Sequence, residues 1–138
     1  MIILDTNVVS EMMRTRPDPQ IAHWLDQQPR TSIWTTSVTI FEIRFGLETM
    51  PLGKRRAALI AGFESWLGEI VQERIANYDE TAARSAAELA ADWQRRGRPG
   101  ELRDTMIAGI VLASRATLAT RNVKHFEDIA KWVVNPWG

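Results

Sequence analysis

At 138 residues the chain has the length of one domain and can bury roughly two-thirds of its unfolded surface, so a core needs no disulfide or structural metal. It is 45% hydrophobic and 25% charged, has no cysteine and only two histidines, which excludes disulfide scaffolds, thiolate nucleophiles and Cys-based zinc sites and leaves oxygen ligands for any metal. Seventeen basic and seventeen acidic residues cancel, unlike strongly basic nucleic-acid-binding domains, so positive charge toward a polyanion has to be local.

Ile2–Leu4 reads as a short buried strand, followed by Val8, Val9, Met12 and Met13 at helical spacing. The run opens without a basic flank and meets an acid at Asp5, so it does not read as a secretory signal. Asp18-Pro19 is a cap with proline at the first helical position, opening a helix that carries Ile21, Trp24 and Leu25 on one face. A strand near Ser32–Thr35 follows. Val38–Leu47 alternates like a strand, but Ser37 and Pro51 bracket a helix-length span, and helix is the reading adopted. Leu59, Phe63, Trp66, Leu67 and Ile70 form the stripe of one long helix, extending to Val71. Ala82, Ala86, Leu89 and Trp93 form another, ending near Gly97.

Leu102–Ala113 is apolar on nearly every side, which marks a helix buried in the middle of the fold. Its longest apolar run, Met106–Ala113, is far too short to cross a bilayer, so no membrane role and a cytoplasmic location are expected. Thr117–Thr120 and Trp132–Val134 are β-type segments. No repeat or low-complexity linker interrupts the chain, which reads as one domain over residues 1–138. Strands alternating with helices predict an α/β fold, a mostly parallel sheet covered on both faces, with ligands beyond the carboxyl ends of the strands.

Asp5 falls at such an end, although it could equally be a helix cap with Asn7 nearby. Glu42 stands between Phe41 and Ile43, and Asp104 heads the apolar helix; an ionised side chain at either place is costly without a partner. Helix-start preference alone could explain Asp104, and Arg44 or Arg103 could pair with either acid. If the three acids converge, they repel one another unless protonated or neutralised, and Mg²⁺ or Mn²⁺ is the economical solution. Such an ion suits phosphodiester hydrolysis. Neither His23 nor His125 lies in a nucleophile context, and no glycine-rich phosphate loop occurs.

Ile-Leu-Asp-Thr-Asn at 3–7, Phe-Glu-Ile-Arg-Phe-Gly around Glu42, Asp104-Thr-Met-Ile-Ala and Ala-Thr-Arg-Asn-Val-Lys-His-Phe at 119–126 occur in an order that spans the chain. Together they resemble a PIN-domain ribonuclease, specifically the VapC toxins of VapBC toxin–antitoxin pairs, including the FitB-like branch with its terminal Asn135-Pro136-Trp137. The resemblance implies a three-layer α/β/α sandwich and an acidic metal site of Asp5, Glu42 and Asp104, supported by Thr6 and Asn7. It also implies an RNA substrate, homodimers, and a cognate antitoxin that blocks the site and binds operator DNA.

Many relatives carry a fourth acid where this chain has Asn122, which puts a second metal in question; Asn122 either ligates or is a turn residue after the strand. Arg95, Arg96, Arg98 and Arg103 approach the Asp104 side, and Arg121 and Lys124 flank Asn122. Arg103, Arg121 and Lys124 are candidate RNA contacts, although cations at a helix C-terminus explain the Gln94–Arg98 run equally well. Two rivals to the nuclease remain: a phosphatase with Asp5 as covalent nucleophile, which Asn7 in place of a second acid argues against, and a degenerate nuclease fold kept for binding.

Overall fold

In the computed structural model, which describes residues 1–138, five parallel strands form one sheet. They are β1 (Ile2–Leu4), β2 (Ile33–Thr36), β3 (Ile75–Ala76), β4 (Thr117–Ala119) and β5 (Val133–Val134), in spatial order β3-β2-β1-β4-β5. β1 is central, and the order reverses on either side of it, β2 to one flank and β4 to the other. Leu4 pairs with Ala119, so the residues that leave these two strands, Asp5 and Thr120, emerge side by side.

Six α-helices connect the strands: α1 (Thr6–Met12), α2 (Pro19–Asp26), α3 (Ser37–Glu48), α4 (Lys54–Trp66), α5 (Glu80–Arg95) and α6 (Leu102–Ser114). Successive strand residues point to opposite faces, and the core divides accordingly. Ile3 and Leu118 join Ala82, Ile107, Ile110 and Val111 on the α5/α6 side. Leu4 and Ala119 join Val8, Ile21, Ile43 and Phe63 on the α1–α4 side. This is the three-layer α/β/α arrangement. No helix is long and apolar enough to cross a membrane.

Asp18 caps α2, its carboxylate accepting from the Gln20 N–H at 2.9 Å, with Pro19 at the first helical position as the sequence indicates. Val38–Leu47 is helical, with Val38, Ile43 and Leu47 buried while Phe41 and Phe45 face outward. α5 ends in a Schellman turn: Arg98 N–H donates to Trp93 O and Gly97 N–H to Gln94 O, with Gly97 at φ +72°. α5 and α6 approach closely, because Gly109 lies where a Cβ would stand 2.5 Å from the Ala82 carbonyl oxygen and 2.6 Å from the Ala86 Cβ. The alanine stripe of α5 is thus the counterpart of that glycine.

One local expectation is corrected and two elements are added to those the sequence indicates. The Leu59–Val71 stripe is not one regular helix: α4 gives way at Leu67 to a π-turn through Val71, and only Phe63, Trp66 and Val71 of that span are buried. β3 carries too short an apolar run, Ile75–Ala76, to show as a strand in the sequence. Val123–Trp132 is wound in 3₁₀ turns that bury Phe126 and Ile129 against the α6 side.

Candidate functional site

Asp5 leaves the central strand and begins α1, where the order of strands reverses. Its N–H bonds to Ala119 O at 2.9 Å. Its carboxylate, 4% exposed, accepts from the Thr6 N–H at 2.8 Å, the Thr120 hydroxyl at 2.7 Å and Asn7 Nδ2 at 3.3 Å. Burial pushes the Asp5 carboxyl up to about 6, opposed by the bonds from Thr120 and Thr6 and assisted by the negative charges of Asp104 and Glu42. Glu42 and Asp104 are thus near enough for their charges to bear on Asp5.

Glu42 reaches it from α3. A run of hydroxyls leads there: Thr36 Oγ1 caps α3 by accepting from the Thr39 N–H at 3.0 Å, Thr39 Oγ1 lies 3.2 Å from Thr6 Oγ1, and Thr6 donates to Glu42 Oε1 at 2.9 Å. The other Glu42 oxygen faces Arg103 Nη1 at 3.2 Å. Arg103 is thus the partner of Glu42, whereas Arg44 pairs with Glu64.

Asp104, in the first turn of α6, accepts from His125 Nδ1 at 2.8 Å. Partial burial raises its carboxyl above the usual range; the His125 contact lowers it, and the charges of Glu101 and Glu42 raise it. With Glu42 turned to Arg103 and Asp104 to His125, the acids are not drawn into a single cage of ligands. The donor set nevertheless suits a hard divalent cation: it is all oxygen, and the mutual repulsion that helps raise Asp5 is what such an ion would relieve.

Thr6 and Asn7 both support Asp5, and Asn7 Oδ1 also accepts from the Arg121 N–H at 3.1 Å. Asn122 is exposed at the start of the 3₁₀ segment, and its N–H donates to Thr120 Oγ1 at 3.0 Å. Arg121 lays its guanidinium over the Trp137 ring, 5.0 Å from the centroid. Lys124 makes no ion pair and lines a cleft of about 350 Å³ together with Asp104 and His125. Arg98 lines the same cleft but is tied to Glu127 and Asp128, and Arg96 is tied to Asp92 and Asp128. Asp128 holds the Arg98 guanidinium above its ordinary pKa.

Two residues at the site escaped the sequence reading. Thr120, fully buried, donates to Asp5 and accepts from Asn7 and Asn122. A threonine placed just after a strand that pairs with β1 was the available signal. His125 gives no local signal, because its partner Asp104 is 21 residues away in sequence.

With this geometry in place, residues 2–131 match the PIN domain. The chain belongs to the PIN-domain family. Among its relatives, the plasmid stability protein StbB of Pseudomonas syringae pv. tomato is 37% identical, with 99% of each chain covered. The VapC ribonuclease Y4jK of Sinorhizobium fredii is 35% identical over 99% of this chain and 98% of its own. Among solved structures, FitAB bound to an IR36 DNA fragment superposes with a TM-score of 0.89 at 31% identity, covering 100% of this chain and 96% of that one. In this PIN domain Asp5 lies at the carboxyl end of the central strand, Glu42 in the middle of α3 is joined to it through Thr6, and Asp104 stands in the first turn of α6.

Proposed function

We propose that this protein is a divalent-metal-dependent endoribonuclease, the toxin of a toxin–antitoxin pair. The observation that carries the reading is the buried Asp5 at the carboxyl end of the central strand, tied through Thr6 to Glu42, with the charges of Glu42 and Asp104 both bearing on it. The names of relatives support it: a VapC ribonuclease, the toxin FitB of Neisseria gonorrhoeae, and FitAB solved with a DNA fragment. By the same likeness, the partners are a cognate antitoxin, operator DNA through it, and a second copy of the chain, in the cytoplasm. A dimer at micromolar concentration in sedimentation checks the last of these.

Asp5, Glu42 and Asp104 would hold Mg²⁺ or Mn²⁺, with Asn122 beside them. When bound, the ion supplies charge for a phosphoryl oxygen and a water of lowered pKa. The chain's own residues do the rest. Thr6, Asn7 and Thr120 fix the Asp5 carboxylate in one orientation, and Thr6 does the same for Glu42. Arg103 stands next to Glu42, where its guanidinium can meet a phosphate in two-point fashion. The test uses purified protein free of antitoxin, with Mg²⁺ or Mn²⁺, offered structured RNA or a small phosphate ester. RNA cleavage that EDTA stops and Asp5→Asn abolishes at unchanged fold is the expected result. Ester turnover without RNA cleavage would point instead to a phosphatase.

A further inference from the structure

We propose that RNA reaches the site along a basic groove between the end of α1 and α4, on the Glu42 side, with Arg14, Arg16 and Arg55 meeting its phosphates. The inference rests on the nuclease reading and adds the path of the substrate. Two hollows make the groove. One, of about 340 Å³, begins at Thr6 and Glu42 and runs to Arg14, Arg55 and Leu59. The second, of about 590 Å³, continues from those same three residues to Arg16. Because they share walls they form one channel, and its inner end reaches the site at Thr6 and Glu42.

The chemistry of the walls fits a single-stranded polyanion. Arg16 and Arg55 are exposed and form no ion pair, so their charges are available; Arg14, itself exposed, is paired with the largely buried Glu11 and contributes the smaller share. The apolar part of the lining, the half-buried Met13 and Leu59 over the buried Ile43 and Leu47, can take the bases while the backbone follows the cations. Three acids at the site repel RNA, so compensating charge has to lie beside them, and the net charge of zero offers no general attraction. The cleft on the Asp104 side offers less. There the four acids Glu101, Asp104, Glu127 and Asp128 outnumber Arg98 and Lys124, and Arg98 is already paired.

The test measures binding of a fluorescein-labelled single-stranded oligoribonucleotide across a salt series, in an Asp5→Asn background that leaves the RNA uncut. Arg16→Glu/Arg55→Glu should weaken binding at least about tenfold and reduce the slope of log affinity against log salt by about 0.7 for each phosphate no longer neutralised. Arg16→Gln/Arg55→Gln should do the same more mildly, which guards against a folding defect in the reversal. Arg115→Glu/Lys131→Glu changes the net charge equally, at exposed positions preceding β4 and β5 at the far end of the sheet, and should leave the slope unchanged. Equal slopes for the groove and far-end variants would overturn the proposal. So would unchanged RNA binding with a loss of affinity for an oligoglutamate peptide, which would make the groove a site for an acidic peptide. Metal-dependent cleavage by the unaltered protein is scored separately, so the nuclease reading can stand while the groove fails.

Discussion

The Thr120 hydroxyl donates to Asp5 Oδ2 at 2.7 Å while its oxygen accepts from the Asn122 N–H at 3.0 Å and from Asn7 Nδ2 at 3.2 Å. One buried hydroxyl at the end of β4 therefore orients the acid at the end of β1 and anchors the turn that carries Asn122. Thr120→Val keeps the shape and deletes the bonds. It should cost about 1–3 kcal/mol in urea unfolding, because the buried Asp5 carboxylate loses a donor and the half-buried Asn7 amide loses one of its acceptors. It should also move the titration of Asp5 upward from about 6, since the Thr120 bond favours the ionised form. Thr120→Ser should restore both, and a Val variant indistinguishable from wild type would refute this role.

Stability of the metal-free protein should rise on acidification through the carboxylate range. Asp5 titrates near 6 when folded against an ordinary value of 3.8. The folded protein thus binds the proton more tightly, a stabilisation fully present below 3.8 and lost as pH rises through about 6. At about 1.4 kcal/mol per unit the shift corresponds to about 3 kcal/mol, and Asp104 adds in the same direction. Chemical unfolding between pH 4 and pH 7, values spanning roughly that window, should show the slope, and Asp5→Asn should flatten it. A wild-type protein whose stability increases toward neutrality contradicts the assignment.

Arg103 and a metal ion compete for Glu42. The guanidinium lies 3.2 Å from Glu42 Oε2, so a cation entering the site has to displace it or share the carboxylate. Arg103→Gln should raise Mn²⁺ affinity in the free protein by several-fold, by removing a like charge. Asn122→Asp should raise it as well, by adding an anion, whereas Asn122→Ala should lower it far less than Asp104→Asn. Isothermal titration ranks the four variants. Loss of metal from Asn122→Ala as complete as from Asp104→Asn would make Asn122 a primary ligand.

Gly109→Ala tests the close approach of α5 and α6. The added methyl would sit 2.5 Å from the Ala82 carbonyl oxygen, a backbone atom that cannot move aside without shifting the helix. A destabilisation of about 1–3 kcal/mol is expected despite alanine's better helix propensity. Because α6 carries Asp104, metal affinity should fall too. A variant more stable than wild type would show that the helices have room to separate.

The alternation of strands and helices, the cap and proline at Asp18-Pro19, the helical Val38–Leu47 and the all-round apolar Leu102–Ala113 were legible from the chain alone, because local periodicity and capping chemistry act over a few residues. So was the expectation that Glu42, between Phe41 and Ile43, and Asp104, at the head of the apolar helix, were not free surface charges; both are half-buried and paired. The two-residue β3 and the π-turn after Trp66 left no such pattern, because only their neighbours in space hold them. The same limit applies to the site. Thr120 meets Asp5 across 115 residues, His125 meets Asp104 across 21 and Arg103 meets Glu42 across 61. Those pairings depend on which strands lie side by side and on where α3, α6 and the turn after β4 fall around the end of β1. Sequence supplied the acids and their order; which hydroxyl orients Asp5 and which cation faces each of the other two was decided by parallel pairing of β1 with β4 and the packing of helices above it.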